Sequence, residues 1–353
     1  MSIVDGAHTR MTDAEPSRSE LLTVRNLTKH YRVGGNIFGR GAKTVRAVDD
    51  VSFTIGRGET LGLVGESGCG KSTLGRSLLR LVPIEGGRIE FEGTDTAKLK
   101  GEELRQMRKH MQAVFQNPLG SLDPRMTVGA TVGEPLTQFG LPRRDVRQRV
   151  EQLFDMVGLD HAKIDAYPRH LSGGQRQRVG IARAIGLDPR LIVADEAVSA
   201  LDVSVQAQII NLLVRLQREL ELSYLFISHD LAVVRHISHR VGVMYLGRIV
   251  EIADSETLFA TPAHPYTRAL LDSAQTPDPS QRREQIMLSG DLPSPTNVPS
   301  GCRFRTRCPL AQQICAEIEP PLREIRPAQR AACHFPLTDI TSANKPQETE
   351  PRA

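Results

Sequence analysis

Tryptophan is absent from the sequence, aromatic residues make up only 4% of it, and net charge is nearly absent as well. Forty-five basic residues face 41 acidic ones, a formal balance of +4. That excess is too small and too dispersed to argue for a nucleic-acid partner. No apolar run approaches the roughly 18–20 residues that a bilayer-crossing helix needs. The first twenty residues, MSIVDGAHTRMTDAEPSRSE, are polar and acidic and lack the apolar core of a signal peptide. The expectation is a cytosolic protein whose membrane role, if any, comes through partners. Cysteine is scarce until the C-terminal region, where four of the five, Cys302, Cys308, Cys315 and Cys333, fall close together. In a secreted chain such clustering reads as disulfides; in a cytosolic one it reads as a metal site.

What is present is the composition of an ordinary globular protein, 39% hydrophobic and 24% charged, long enough for one large domain with an appendage. Residues 1–20 and 339–353 are polar, without apolar periodicity, and read as disordered tails. Between them, apolar runs predict strands at LLTVRNL, AVDDVSFTI, TLGLVG, GRIEFEG, QAVFQNP, LIVADE, SYLFISHD, VGVMYLG and RIVEIA. Helical patterns include Lys71–Leu81, Arg143–Val157, Gly173–Gly186 and Val203–Glu221. Early strands follow one another like hairpins and later ones alternate with helices. This predicts an α/β fold, a parallel core with an antiparallel β layer at its N-terminal side. A Pro-rich segment beginning near Thr261 places the main boundary close to 258, giving a domain over 21–258 and an extension over 259–338.

The run Gly65, Glu66, Ser67, Gly68, Cys69, Gly70, Lys71, Ser72, Thr73 follows an apolar strand and opens a helix. That is the context a phosphate-binding loop requires. Glycines let successive N–H groups converge on a β-phosphate, and the helix N-terminus adds the positive end of its dipole. Lys71 supplies a point charge to the β- and γ-phosphates, and the Ser72 hydroxyl coordinates Mg²⁺. Cys69 reads either as a redox-sensitive thiol or as a small residue tolerated where the backbone carries the contacts. Further on, the strand LIVA delivers two acids, Asp195 and Glu196. Asp195 is expected at the Mg²⁺ shell. Glu196, pointing elsewhere because side chains alternate, is expected to act as general base on the attacking water.

Leu171, Ser172, Gly173, Gly174 and Gln175 open an Arg-rich helix. Ser172 and its glycines form a second anion site, which a chain with its own phosphate loop needs only for ATP held by another subunit. A nucleotide-sandwiched dimer follows. The run LSGGQRQRVGIARAI resembles the signature of ATP-binding-cassette (ABC) ATPases, and the resemblance spans about residues 21–258. It implies a P-loop NTPase core with an antiparallel β subdomain and a helical signature subdomain. It also implies a loop glutamine at Gln116 sensing the γ-phosphate and Mg²⁺, an interface-crossing loop Ser199–Asp202, a switch histidine at His229, and an adenine-stacking Tyr31. Ala197 departs from the proline common in the family after the Asp-Glu pair. Both acids remain, so turnover is expected to survive.

FQNPLGSLDP, VSALDVSVQAQIINLL, AHPYTRALL and the stretch around LPSPTNVPSGCRFRTRC further resemble the ATPases of dipeptide/oligopeptide importers. The loop in YRVGGNIFGRGAKTVRAVDDVSF is similar to that of the second ATPase in such systems. The resemblance implies ATP hydrolysis coupled to peptide import, with nickel or another solute as the alternative. Implied partners are a second homologous ATPase, two transmembrane permeases and, through them, an extracytoplasmic binding protein. No nucleic acid is expected, and the chain is placed at the cytoplasmic face of the membrane, peripherally. The spacing C-x5-C-x6-C-x17-C lacks the C-x2-C pairs common in zinc sites. The resemblance implies a [4Fe-4S] cluster on Cys302, Cys308, Cys315 and Cys333; zinc and unligated thiols are the other readings. His264 and His334 read as ordinary loop histidines. An exporter ATPase is disfavoured by the His-Pro-Tyr tail. A DNA- or ribosome-acting cassette is disfavoured by the short, heptad-free Gln116–Leu171 interval and by the single cassette.

Overall fold

The computed structural model describes residues 19–34, 42–116, 120, 122–274 and 293–337. Both expected tails, most of the Val33–Lys43 loop and part of the FQNPLGS run lie outside the described residues.

Strands β1 (Glu20–Val33), β2 (Lys43–Gly56), β4 (Gly86–Phe91) and β5 (Thr94–Asp95) make a four-stranded antiparallel sheet in the order β2-β1-β4-β5. The second sheet holds β3 (Thr60–Val64), β6 (Met111–Phe115), β7 (Leu191–Asp195), β8 (Ser223–Ile227) and β9 (Arg240–Tyr245). These run parallel in the order β9-β3-β8-β7-β6. Every residue of β3, β7 and β8 is buried, which is why they read as unbroken apolar runs rather than alternating ones. Their two faces feed two different cores. Leu191 and Val193 pack with the antiparallel sheet, while Ile192 and Ala194 pack with the helical side.

Among the described residues this region is completed by the helices α1 (Lys71–Leu78), α2 (Gly101–His110), α3 (Val128–Gln138), α4 (Arg143–Val157), α5 (Gly173–Ile185) and α6 (Val203–Leu220). In α6, Ile209, Leu212, Leu213 and Leu216 make the buried stripe, each worth roughly 1.5–3 kcal/mol of burial. The helix starts on an Asp202 cap and stops where Glu221 turns left-handed, φ 52°. Shorter helices α7 (Leu231–Ile237) and α8 (Ser255–Ala260) flank β9 and β10 (Arg248–Asp254).

The chain beyond residue 259 does not stand apart. After α9 (Pro265–Ala274) and α10 (Gln313–Glu317), the hairpin β11 (Arg323–Arg326) and β12 (Gln329–Ala331) extends the main sheet, with β12 antiparallel to β10. Glu251 of β10, fully buried, fastens the junction: its carboxylate accepts from the N–H groups of Ala263 and His264, each at 2.8 Å, and from Gln329 Nε2 at 2.8 Å. Burial raises the Glu251 pKa, and these hydrogen bonds oppose that rise.

Candidate active site

The loops after β3, β7 and β8 meet at one end of the parallel sheet, where open α/β sheets place their ligands. Glycine shapes the first of them. At Gly65 (φ 152°) a Cβ would lie 2.2 Å from the Met244 carbonyl, and at Gly70 (φ 111°) 1.8 Å from that of Ala47. No other residue fits at either position. Helix α1 begins at Gly70 with no side-chain cap and no acid in its first turn, so its leading N–H groups are left for an anion. Lys71 is buried and folded back into the loop, its Nζ donating to the carbonyls of Gly65 (2.7 Å) and Glu66 (3.0 Å). Cys69 lies 3.7 Å from the same Nζ, almost wholly buried, its thiol pushed up by that burial. The thiol is inaccessible, in keeping with a small residue tolerated by the loop rather than a redox sensor.

Ser72 Oγ donates to Asp195 Oδ1 at 2.8 Å, joining the helix start to the end of β7. Burial raises the Asp195 pKa, and neighbouring Glu196 adds to it, against the Ser72 hydrogen bond and the charge of Arg76. A buried carboxylate beside a hydroxyl is the donor pair that Mg²⁺ takes, so these residues fit that cation. Glu196 is separated from Asp195 by more than strand alternation. It lies beyond β7 in the left-handed region, φ 49°, with its N–H donating to Ile227 O at 2.9 Å. That unusual conformation, of order 1–3 kcal/mol for a non-glycine residue, aims the carboxylate toward the loop after β8. There His229 Nδ1 stands 3.8 Å from Glu196 Oε1, with the imidazole exposed.

Gln116 follows β6 on an exposed turn and lines a cleft of about 800 Å³ together with Ser72, Arg76, Gln177 and Asp195. Tyr31 sits farther out, half-buried in β1, with the Lys29 ammonium 4.9 Å from its ring centre. Its cross-strand partner is Val45, two residues before the Ala47 that backs Gly70.

The structure places Leu171, Ser172, Gly173, Gly174 and Gln175 at the start of α5. Ser172 Oγ accepts from Gln175 N (3.3 Å) and the Gln175 side chain accepts from Ser172 N (3.0 Å), a closed capping box. Ser172 and Gly173 are exposed, and Gly174 admits Val205 of α6, 2.5 Å from where a Cβ would stand. Asp202 caps α6 through Val205 N (3.0 Å), and these hydrogen bonds lower its pKa. Ser172 and Asp202 themselves make no hydrogen bond to Lys71, Ser72, Asp195 or Glu196 among the described residues, although Ser199 of the Asp202 loop donates to the Glu196 carbonyl through its N–H (3.2 Å) and its Oγ (3.0 Å).

The expected metal centre is not assembled. Among the described residues no group of three or more His, Cys, Asp or Glu is arranged to hold a metal ion. Cys302, Cys308, Cys315 and Cys333 are gathered in one lobe as free thiols, with Cys302 N donating to Cys315 O at 2.8 Å. Burial, reinforced by one another's charge, pushes Cys302 up to about 11 and Cys333 up to about 12. A metal binding there would have to displace those protons, since only the thiolate ligates. His264 does lie in a loop, just before α9, but it is not an ordinary exposed one. It is fully buried, its Nδ1 accepts from Tyr266 N at 3.0 Å, and burial depresses its pKa to about 4. Sequence reasoning gave no role to Tyr266 and Arg307, yet both reach the phosphate loop at Glu66. Their only signal was membership in the AHPYTRALL and RFRTRC runs.

The family described as "ABC transporter" matches residues 48–199, and "Oligopeptide/dipeptide transporter, C-terminal region" matches residues 250–315. A probable peptide ABC transporter ATP-binding protein of Sinorhizobium fredii is 54% identical over 89% of both chains. The chain belongs to the ABC transporter ATPases. Within that family it carries the C-terminal region of the oligopeptide/dipeptide branch. Oligopeptide transport ATP-binding protein AppF of Bacillus subtilis is 50% identical, over 90% of this chain and 98% of AppF. Among solved structures, the ATP-binding cassette MJ0796, a dimer bound to ADP and Pi, matches with TM-score 0.58 and 28% identity. That match covers 66% of this chain and 98% of the cassette. CbiO1 of Clostridium perfringens matches with TM-score 0.60 and 27% identity, covering 69% and 91%. The family explains the fold described above: P-loop core, antiparallel β subdomain and helical signature subdomain.

Proposed function

We propose that this chain binds and hydrolyses ATP as one of two ATPase subunits that drive import of di- and oligopeptides. The observation that carries it is the meeting of Lys71, the Ser72–Asp195 pair and the Glu196–His229 pair at one end of the parallel sheet. The peptide assignment rests on the C-terminal region and on the similarity to peptide-transport ATPases.

Arriving triphosphate takes the loop N–H groups, and Lys71 exchanges two carbonyls for the β- and γ-phosphates. Mg²⁺, when bound, neutralises charge developing between those phosphates; Ser72, Asp195 and Gln116 are the residues that would hold it. Tyr31 stacks on adenine. Glu196 takes a proton from water as its oxygen attacks the γ-phosphorus and the bond to ADP breaks. His229 and Lys71 stabilise the transferred phosphoryl group. Ser172, Gly173 and Asp202, exposed and apart from this chain's own loop, serve the nucleotide of the facing subunit. A homologous second ATPase is the preferred occupant of that position. The cleft beside Gln116, with exposed Phe115 and Leu81 on its wall, seats a helix of a permease. Closure and reopening of the ATPase pair then reorient the pore. The described residues include no helix long and apolar enough to cross a membrane, so this chain acts peripherally, at the cytoplasmic face. Two permeases supply the pore, and a binding protein outside captures the peptide.

Reconstitution with its permeases tests the reading: ATP-dependent peptide uptake, lost with Glu196→Gln, is expected. Stable isolation with DNA or ribosomes and without permeases would refute it. The iron–sulfur cluster at the four cysteines is carried by the donor set alone, and no step above runs through it. About four iron per chain after anaerobic purification would support it; stoichiometric zinc, or no metal, would refute it.

A further inference from the structure

One residue of the phosphate loop is held from outside the cassette. The N–H of Glu66 donates to Tyr266 Oη at 3.0 Å, and its two carboxylate oxygens each accept from Arg307 Nη1 at 3.0 Å. Its carbonyl is one of the two that hold Lys71. All three polar groups of Glu66 are thus engaged, and two of the partners come from the C-terminal region, 200 and 241 positions away. Neither partner is free to wander. Tyr266 is fully buried, its ring 4.6 Å from Tyr245 and 5.4 Å from Phe304, and Arg307 is 8% exposed. Phe304 and Tyr245 themselves stand edge to face at 5.4 Å. Tyr245 follows Met244, whose carbonyl backs Gly65. Arg303, from the same segment as Phe304 and Arg307, donates to the carbonyl of Leu246 and to Asp49.

Glu66 puts an anion on the loop that must receive a triphosphate. In a half-buried setting such a charge repels phosphate strongly unless it is paired. We propose that Tyr266 and Arg307 are positioning residues for the phosphate loop, through which the C-terminal extension sets how tightly this chain holds ATP. The inference rests on the ATPase reading and deepens it. Arg307 neutralises the Glu66 carboxylate, while Tyr266 fixes the peptide whose carbonyl holds Lys71. The segment carrying Phe304 and Arg307 lies between Cys302 and Cys308, so a change in that lobe reaches the nucleotide through these two side chains.

Calorimetric titration of the full-length chain with Mg-ATP tests this. Arg307→Gln is expected to weaken binding about tenfold, less at high salt, with the loss appearing in KM and not in kcat of the assembled transporter. Removing the exposed anion as well, in the Glu66→Gln/Arg307→Gln double variant, is expected to recover affinity to within about threefold of wild type. Tyr266→Phe keeps the ring and loses the hydroxyl, and is expected to weaken ATP binding by about three- to fivefold. Unchanged affinity in Arg307→Gln would overturn the proposal. So would a loss that the double variant fails to recover, since Arg307 would then only support the fold. A wild-type chain that binds no ATP would overturn the ATPase reading itself, a separate result.

Discussion

The two anion-binding patches of this chain are finished to different degrees. Around the phosphate loop, Lys71, Asp195 and Cys69 are buried, and Lys71 and Asp195 already have internal hydrogen-bond partners. At the start of α5, Ser172 and Gly173 are exposed, Asp202 is exposed, and Val203 beside it is 84% exposed. The first patch is a built pocket into which a triphosphate substitutes for carbonyls. The second is a capped helix end left exposed among the described residues, which suits the proposal that it serves a facing subunit. On the proposed function, burial would separate what one chain contributes to its own nucleotide from what it lends to another.

The largest test of that contrast acts on the built pocket. Glu196→Gln should bind ATP with near wild-type affinity and lose turnover by about 10²–10⁴-fold, read by steady-state phosphate release. Sustained hydrolysis would remove Glu196 from its role as base. Truncating the buttress beneath the loop comes next. Phe304→Ala empties a site fully enclosed by Tyr245, Tyr266 and His264. It should cost about 3–5 kcal/mol in urea unfolding. A loss under about 1 kcal/mol would mean that the C-terminal region is not packed as described.

Acid acts on the C-terminal region that buttresses the phosphate loop. His264 titrates near 4 in the fold and about 6.5 when unfolded, so only the unfolded chain gains a proton between those values. Its stabilising contribution is complete above about pH 6.5 and drains away as pH falls toward about 4. Between pH 7.5 and 5 the unfolding free energy should drop by on the order of 2 kcal/mol, and His264→Gln should remove that slope. The smallest effect has the opposite sign. Burial raises the Asp195 pKa, so the ionised carboxylate opposes folding as pH rises through its folded value. Asp195→Asn should melt slightly higher than wild type at neutral pH without nucleotide, and should lose Mg²⁺-dependent ATPase activity.

Much of this site was legible in the sequence because phosphate chemistry dictates local spacing. Gly65–Thr73, the acids at 195 and 196 and the LSGGQ run each act within a few residues of themselves. The buried parallel strands were legible for a related reason, being apolar on both faces. What sequence hid was long-range. Nothing near Tyr266 or Arg307 marks Glu66 as their partner. The β12 strand, three residues long, carries no readable period and is defined by its pairing with β10 and β11. The left-handed turn at Glu196, absent from simple strand alternation, depends on the Ile227 carbonyl across the sheet. Cysteine spacing announced ligands, and among the described residues the four sulfurs remain free thiols, two of them buried and two half-buried, in no metal-holding arrangement. His264, by position a loop residue, is fully buried because the chain beyond it folds back over it.

Ser172→Ala, measured in two ways, tests most directly whether the exposed patch serves another subunit. Alanine removes a hydroxyl that contacts no group of this chain's own phosphate loop, at a capping cost of about 1 kcal/mol. ATP affinity of the isolated chain is expected to stay at the wild-type value, while ATPase activity of the assembled pair falls at least about tenfold. A loss of ATP affinity in the isolated chain, or full activity in the assembled pair, would contradict a nucleotide site shared between two subunits.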